Sequence, residues 1–200
     1  METKVVLITG ISSGFGLESA KLLCAEGYTV YGTVRREVER IPGVHYLNAD
    51  VRDADAVKRA VETVIAEQGR IDMLVNNAGM GIGGPIEFTP DEDIELQMGT
   101  NFMGMVLFSK AVLPHMRTRK CGKIVFLSSI GGLMGLPFQG FYSASKFAIE
   151  GYAEALRMEV YGFGISVSII NPGDFSTGFT GKRRKVAPEV AEAYPAYALS

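Results

Sequence analysis

The chain has 200 residues, is 47% hydrophobic and carries a formal net charge of −2, which predicts one globular domain with a substantial core and gives no electrostatic ground for nucleic-acid binding across the surface. Its cysteines, Cys24 and Cys121, lack metal-type spacing and its histidines, His45 and His115, stand alone; no metal centre is expected, and the thiols read as free in a reducing compartment. At the N-terminus the strongly apolar run extends only from Val5 to Ile8, too short for a signal peptide or a membrane span, so a cytoplasmic protein is expected.

Short apolar runs alternate with longer amphipathic stretches, the pattern of a parallel sheet covered by helices on both faces. A first strand at Val5–Thr9 leads into Gly10-Ile11-Ser12-Ser13-Gly14-Phe15-Gly16 and a helix over about Gly14–Ala25. Glycines there allow a tight turn and let a pyrophosphate approach the backbone at the positive end of the helix. A glycine turn alone can be purely structural; between a Val/Ile strand and an amphipathic helix it is a dinucleotide signal. Strands follow at Thr29–Thr33 and Val44–Asn48, joined by about ten residues that include Pro42, fewer than a full crossover helix needs. Next come a helix at Ala54–Glu67, a strand at Met73–Val75 and a long helix at Asp91–Arg117. In that helix Ile94, Met98, Phe102, Met105, Phe108, Val112 and Met116 recur at helical spacing and read as core. A strand at Lys123–Ser128, a helix at Tyr142–Tyr161 and a strand at Ser166–Ile170 complete the pattern. From Gly178 onward the chain turns basic at Lys182-Arg183-Arg184-Lys185 and then rich in Ala, Pro and Tyr. It reads as a loop and short helix without obvious anchorage, the basic run being a solvated loop rather than a nucleic-acid or membrane patch.

Tyr142 and Lys146 stand i, i+4 and so share a helix face. The ammonium is expected to lower the phenol's pKa toward a useful acid–base range. The same helix carries a small-residue seam (Ala144, Ala148, Gly151, Ala155) and a bulky one (Ile149, Tyr152, Leu156, Val160). Two such faces predict either burial on both sides within one domain or a homo-oligomer formed through this helix.

The Gly-x-x-x-Gly-x-Gly turn, Asn76-Asn77-Ala78-Gly79 after the fourth strand, and Tyr142-x-x-x-Lys146 with Ser129 upstream together resemble the short-chain dehydrogenase/reductase family, in its single-domain subfamily, from Lys4 to about Phe179. The resemblance implies a Rossmann-type doubly wound parallel sheet with helices on both faces, lacking the family's last strand. Residues 1–177 would be the dinucleotide-binding catalytic domain and 178–200 a partial substrate-loop and C-terminal segment. The chain would then be a fragment of a longer protein or a shortened member.

By the same resemblance Gly10, Gly14 and Gly16 would hold the pyrophosphate turn, lined by Ser12, Ser13 and Phe15. Asp50 and Val51 would contact the adenine, although Asp50 could equally be a turn or cap residue. Asn77, Ala78 and Gly79 would pass beneath the ribose, and Pro172, Gly173 and Thr177 would cover the nicotinamide. Val34 stands where an NAD site would place an acid, and Arg35-Arg36 follow, so NADP(H) is expected over NAD(H), its 2′-phosphate held by Arg35 and Ser13. Tyr142 would exchange the proton and Lys146 would hold the ribose hydroxyls. Ser129 would polarise the substrate oxygen, and Asn101 would bind a relay water. The reaction implied is carbonyl–alcohol interconversion on a small lipophilic molecule (steroid-, retinoid- or ketone-like), with Leu133, Met134, Leu136, Phe138, Phe175 and Phe179 as an apolar wall. The alternative is a catalytically silent NADP(H)-binding sensor or a truncated family member.

Overall fold

A computed structural model describes residues 3–173, 183–186, 190 and 194–198. Its centre is a six-stranded, all-parallel sheet in the order β3-β2-β1-β4-β6-β7, with β1 at Val5–Ile8, β2 at Thr29–Val34, β3 at Val44–Asn48, β4 at Met73–Asn76, β6 at Gly122–Leu127 and β7 at Ile165–Ile170. All four residues of β1 are buried, as a central strand covered on both faces requires. The chain winds outward from β1 to β3, then returns to the other side of β1 as β4; in register, Val6 pairs with Val30 on one side and Met73 on the other. This reversal opens a crevice at the carboxyl ends of β1 and β4.

Strand alternation sorts the core into two layers. On one face Leu7, Leu74, Ile124 and Phe126 pack with residues of α2 (Ala54–Gln68), α4 (Gly104–Arg119) and α5 (Gly140–Val160). On the other, Val6, Ile8, Val30, Val75 and Val125 pack with Ala20 and Leu23 of α1 (Gly14–Ala25). No helix connects β2 to β3, as the short connection predicts. Asp53 caps α2, its carboxylate accepting from the Asp55 and Ala56 N–H groups.

The long third helix departs from expectation. It consists of α3 (Asp91–Met98), a π-helical turn at Gly99–Met103 and then α4. Only the second half of its stripe is fully core: Met105, Phe108, Val112 and Met116 are buried, while Ile94, Met98 and Phe102 are half-buried. Bulges of this type re-aim side chains and gather at functional sites; this one carries buried Asn101.

The C-terminal stretch also differs from the unanchored loop expected. β8 (Arg184–Lys185) pairs in parallel with β5 (Ile82–Gly83), Val186 is buried, and Tyr197 in the short α6 (Pro195–Ala198) donates to the Gly83 carbonyl at 3.1 Å. Arg184 is ion-paired with Asp93. Backbone pairing, invisible to composition, holds this segment. On α5 the bulky seam is the core face, whereas Ala144, Gly151 and Ala155 are exposed and Ala148 is half-buried, so burial on both sides within the domain does not occur. Among the described residues no helix is long and apolar enough to cross a membrane.

The crevice depends on Thr9, which is 1% exposed. Its hydroxyl accepts from the N–H groups of both Asn77 and Ala78 at 2.9 Å, tying the end of β1 to the turn after β4. Thr9→Val keeps the shape but strands two donors, and should lower unfolding free energy by about 2–4 kcal/mol in urea titration.

Candidate active site

The crevice is a cleft of about 840 Å³ running from the end of β2 to α5. At its middle, Gly10 adopts φ +73°, and a Cβ there would come within 2.9 Å of the Ala78 Cα. Gly16 has no room for a side chain either, since a Cβ would run into the Gly10 carbonyl and the Asn77 amide. That amide donates to the Thr9 and Gly10 carbonyls at 2.8 and 3.0 Å. From the β2 side, the Gly10 N–H donates to the Thr33 hydroxyl and the Ile11 N–H to the Thr33 carbonyl, each at 3.1 Å. Thr9 and Thr33 thus shape the turn, although as single threonines inside strand runs they carry no motif. Ser12, Ser13, Gly14 and Phe15 line the cleft above it. Ser13 makes no side-chain cap on α1, which leaves the positive start of that helix for an anion. The glycine cradle and uncapped helix start fit a dinucleotide pyrophosphate.

Toward the sheet edge, Val34, Arg35 and Arg36 line the cleft with Ala49 and Val51. Both arginines are exposed. Asp50 is engaged elsewhere: its carboxylate accepts from the Arg52 guanidinium at 2.7 Å and from the Arg52 N–H at 3.0 Å. The Arg52 hydrogen bond holds its pKa below the usual carboxylate range despite partial burial. Asn77, Ala78 and Gly79 form the floor, and Pro172 and Gly173 the opposite lip, where the Ile130 N–H donates to the Pro172 carbonyl at 3.1 Å. Thr177, Phe175 and Phe179 lie outside the described residues.

At the α5 end, Ser129, Tyr142 and Lys146 converge on the cleft. Ser129 leaves β6 as the cap of a short 3₁₀ turn, its hydroxyl accepting from the Gly131 N–H at 3.1 Å, and it is hydrogen bonded with the Tyr142 side chain. Ser128 also reaches the cleft wall, but its buried hydroxyl has no hydrogen-bond partner. The Lys146 ammonium donates to the Leu127 carbonyl at 2.7 Å and lies 5.7 Å from the centre of the Tyr142 ring. Asn101 accepts from the Met80 N–H at 2.8 Å and donates to the Met80 carbonyl at 2.9 Å and to the Ser145 hydroxyl at 3.1 Å. The π-turn therefore bonds Asn101 to α5 one residue before Lys146.

The electrostatics correct the sequence expectation for Tyr142. Burial pushes the phenol above its ordinary pKa; the Ser129 hydrogen bond and the charge of Arg183 pull down without cancelling it. Lys146 does not reverse this. Burial pushes its own ammonium down to about 8, against the opposing Glu150 carboxylate, and its proton is directed to Leu127. Loss of hydration outweighs the nearby positive charge.

Three residues without a sequence signal complete the site. Asn171 donates to the Glu150 carboxylate at 2.6 Å and to the Ser129 carbonyl at 3.3 Å, bracing Ser129. The Ser143 hydroxyl accepts from the Leu136 N–H at 3.1 Å. Arg183 lines the cleft from the C-terminal stretch, where a solvated loop was expected. The apolar wall is smaller than the composition of Gly131–Phe138 implies. Leu136 lines the cleft, but Leu133 and Met134 are exposed, and Phe138 faces a separate cavity with Pro85, Ile86 and Tyr194.

The family profile described as short chain dehydrogenase matches residues 4–187. The 3-ketodihydrosphingosine reductase of Bacteroides thetaiotaomicron is 55% identical over 183 residues, covering 92% of this chain and 68% of that protein. Human 17-beta-hydroxysteroid dehydrogenase type 1 is 39% identical over 198 residues, covering 91% of this chain and 60% of its own length. The solved structure of ElxO with NADP bound superposes with a TM-score of 0.85 at 28% identity, covering 98% of this chain and 92% of that one.

Lys146 also sets a pH dependence of stability. Its folded pKa of about 8 lies below the ordinary lysine value of 10.5, so between these values the unfolded chain binds more protons and stability contributed by this group rises with pH. Urea unfolding between pH 7 and 10 should show that rise in the wild type, up to about 3 kcal/mol, and a flatter profile in Lys146→Met.

Proposed function

The chain belongs to the short-chain dehydrogenase family, and we propose that it is an NADP(H)-dependent oxidoreductase interconverting a lipophilic carbonyl compound and its secondary alcohol. The observation that carries this reading is the convergence of Ser129, Tyr142 and Lys146 at one end of a cleft whose other end is a glycine cradle. When bound, the nicotinamide supplies or accepts the hydride. Everything else falls to the protein's own groups. Ser129 holds the reacting oxygen, and Tyr142, hydrogen bonded with Ser129, passes the proton to it or takes it back. A phenol kept neutral by burial suits donation to a carbonyl. Lys146 holds the ribose hydroxyls, and Asn101, fixed by Met80 and Ser145, holds a water that replaces the proton from solvent.

NADP(H) over NAD(H) is supported by charge. The cleft end beside β2 presents Val34, Arg35 and Arg36, where a dinucleotide lacking the 2′-phosphate would want a carboxylate. ElxO is solved with NADP. A lipophilic substrate is supported by Leu136, Leu96 and Ile130 in the cleft and by the activities for which the 3-ketodihydrosphingosine reductase and the 17-beta-hydroxysteroid dehydrogenase are named. The exposed small-residue face of α5, with Phe147 and Met158 also exposed on that helix, supports a homo-oligomer assembled through it.

Tyr142→Phe should slow carbonyl reduction roughly two to four orders of magnitude while NADPH still binds; absence of turnover in the wild type across lipophilic ketones would mark a binding protein instead. Val34→Asp combined with Arg35→Ala should shift kcat/KM from NADPH toward NADH by about tenfold or more. Unchanged preference would show that the 2′-phosphate is held elsewhere.

A further inference from the structure

Five cationic side chains line the cleft, Arg35, Arg36, Lys146, Arg183 and Arg184, and among the described residues no aspartate or glutamate does. Four have an assignment. Arg35 and Arg36 stand at the adenosine end, Lys146 donates to Leu127, and Arg184 is neutralised by Asp93. Arg183 is left over. It immediately precedes β8, with its methylenes over Gly83, and its buried Nε has no hydrogen-bond partner. A buried guanidinium donor without an acceptor is unfavourable. The position is not a slack surface site, because β8 is paired to β5 and Val186 is buried behind it. Arg183 also acts electrostatically on Tyr142, which places its charge at the reacting end of the cleft rather than at the pyrophosphate turn.

We infer that Arg183 forms an anion-binding subsite beside the reacting oxygen, and that the preferred substrates are lipophilic carbonyl compounds bearing a carboxylate. A guanidinium fork matches a carboxylate in geometry and charge. Leu136 and Ile130 in the same cleft suit the alkyl part. This rests on the redox reading above, extending it from a reaction to a substrate class.

The test compares medium-chain oxo acids with their methyl esters, using NADPH. The wild type should favour the acids in kcat/KM. In Arg183→Ala the acid-to-ester ratio should fall roughly ten- to a hundredfold, and Arg183→Lys should recover part of it. Equal use of acid and ester by the wild type overturns the inference. So does a ratio unchanged in Arg183→Ala, or a matching loss of NADPH affinity in that variant, which would assign the guanidinium to the cofactor. Calorimetric binding of decanoate against decanamide requires no turnover. If the protein reduces nothing yet binds decanoate through Arg183, the redox reading fails and the subsite stands. If it reduces ketones but binds both compounds alike, the subsite fails alone.

Discussion

The Lys146 ammonium lies where little water reaches it, and that placement constrains the chemistry of the cleft. An ion of this kind is tolerable in a protein interior only when polar groups replace its hydration. The Leu127 carbonyl provides one such group at 2.7 Å, at the end of β6, with Glu150 a more distant carboxylate that favours the charge. The remaining donor capacity of Lys146 faces the cleft. A ligand rich in hydroxyl and phosphate oxygens is what such a group lacks. The cation to which the proposed function gives the ribose hydroxyls is thus also one whose charge burial disfavours.

Several elements that look independent converge on holding this group and its neighbours. α5 sets Tyr142 and Lys146 on one face by its period alone. The π-turn of the long helix brings Asn101 against Ser145, between those two residues in sequence. β6 delivers Leu127 and Ser129 in succession, and Asn171 after β7 ties the Ser129 backbone to Glu150, one turn further along α5. The α5 end of the cleft is therefore built from β6, α5, the π-turn and the segment after β7, all of them anchored in one core layer. On the other side of the switch point, Thr9 and Thr33 perform the same service for the glycine turn. Positioning of this sort comes from rigid elements rather than from loops.

What the sequence disclosed and what it withheld divide along the range of the interactions. Alternating apolar runs placed all six strands of the main sheet, because strand burial is written in local composition. The glycine turn and the Tyr142–Lys146 pair were legible because their geometry is fixed within a few residues. The π-turn was not, since Gly99–Met103 continues a helical apolar pattern and only packing against α5 and the Met80 backbone distinguishes it. β5 and β8 each have two residues and lie about 100 residues apart, so their pairing leaves no periodic trace. The direction of the Tyr142 shift was misjudged because sequence spacing reports proximity of charge but not dehydration, and here dehydration is larger.

The charge distribution adds a step that the whole-chain balance conceals. A net charge of −2 spread over 200 residues suggests a neutral binder, yet among the described residues every charged side chain that lines the cleft is cationic, at its two ends. Concave sites with low-dielectric walls concentrate such a field and draw ions of opposite sign toward it. One part of that field, at Arg35 and Arg36, lies open to solvent and is readily screened by salt. The other, at Lys146 and Arg183, lies among buried groups and is screened less. A dinucleotide phosphate can answer the first; in the inferred subsite a substrate carboxylate answers the second. Under the proposed function and the inferred subsite, cofactor choice and substrate choice become two separate electrostatic problems within one cleft, one at the end of β2 and the other at the segment preceding β8.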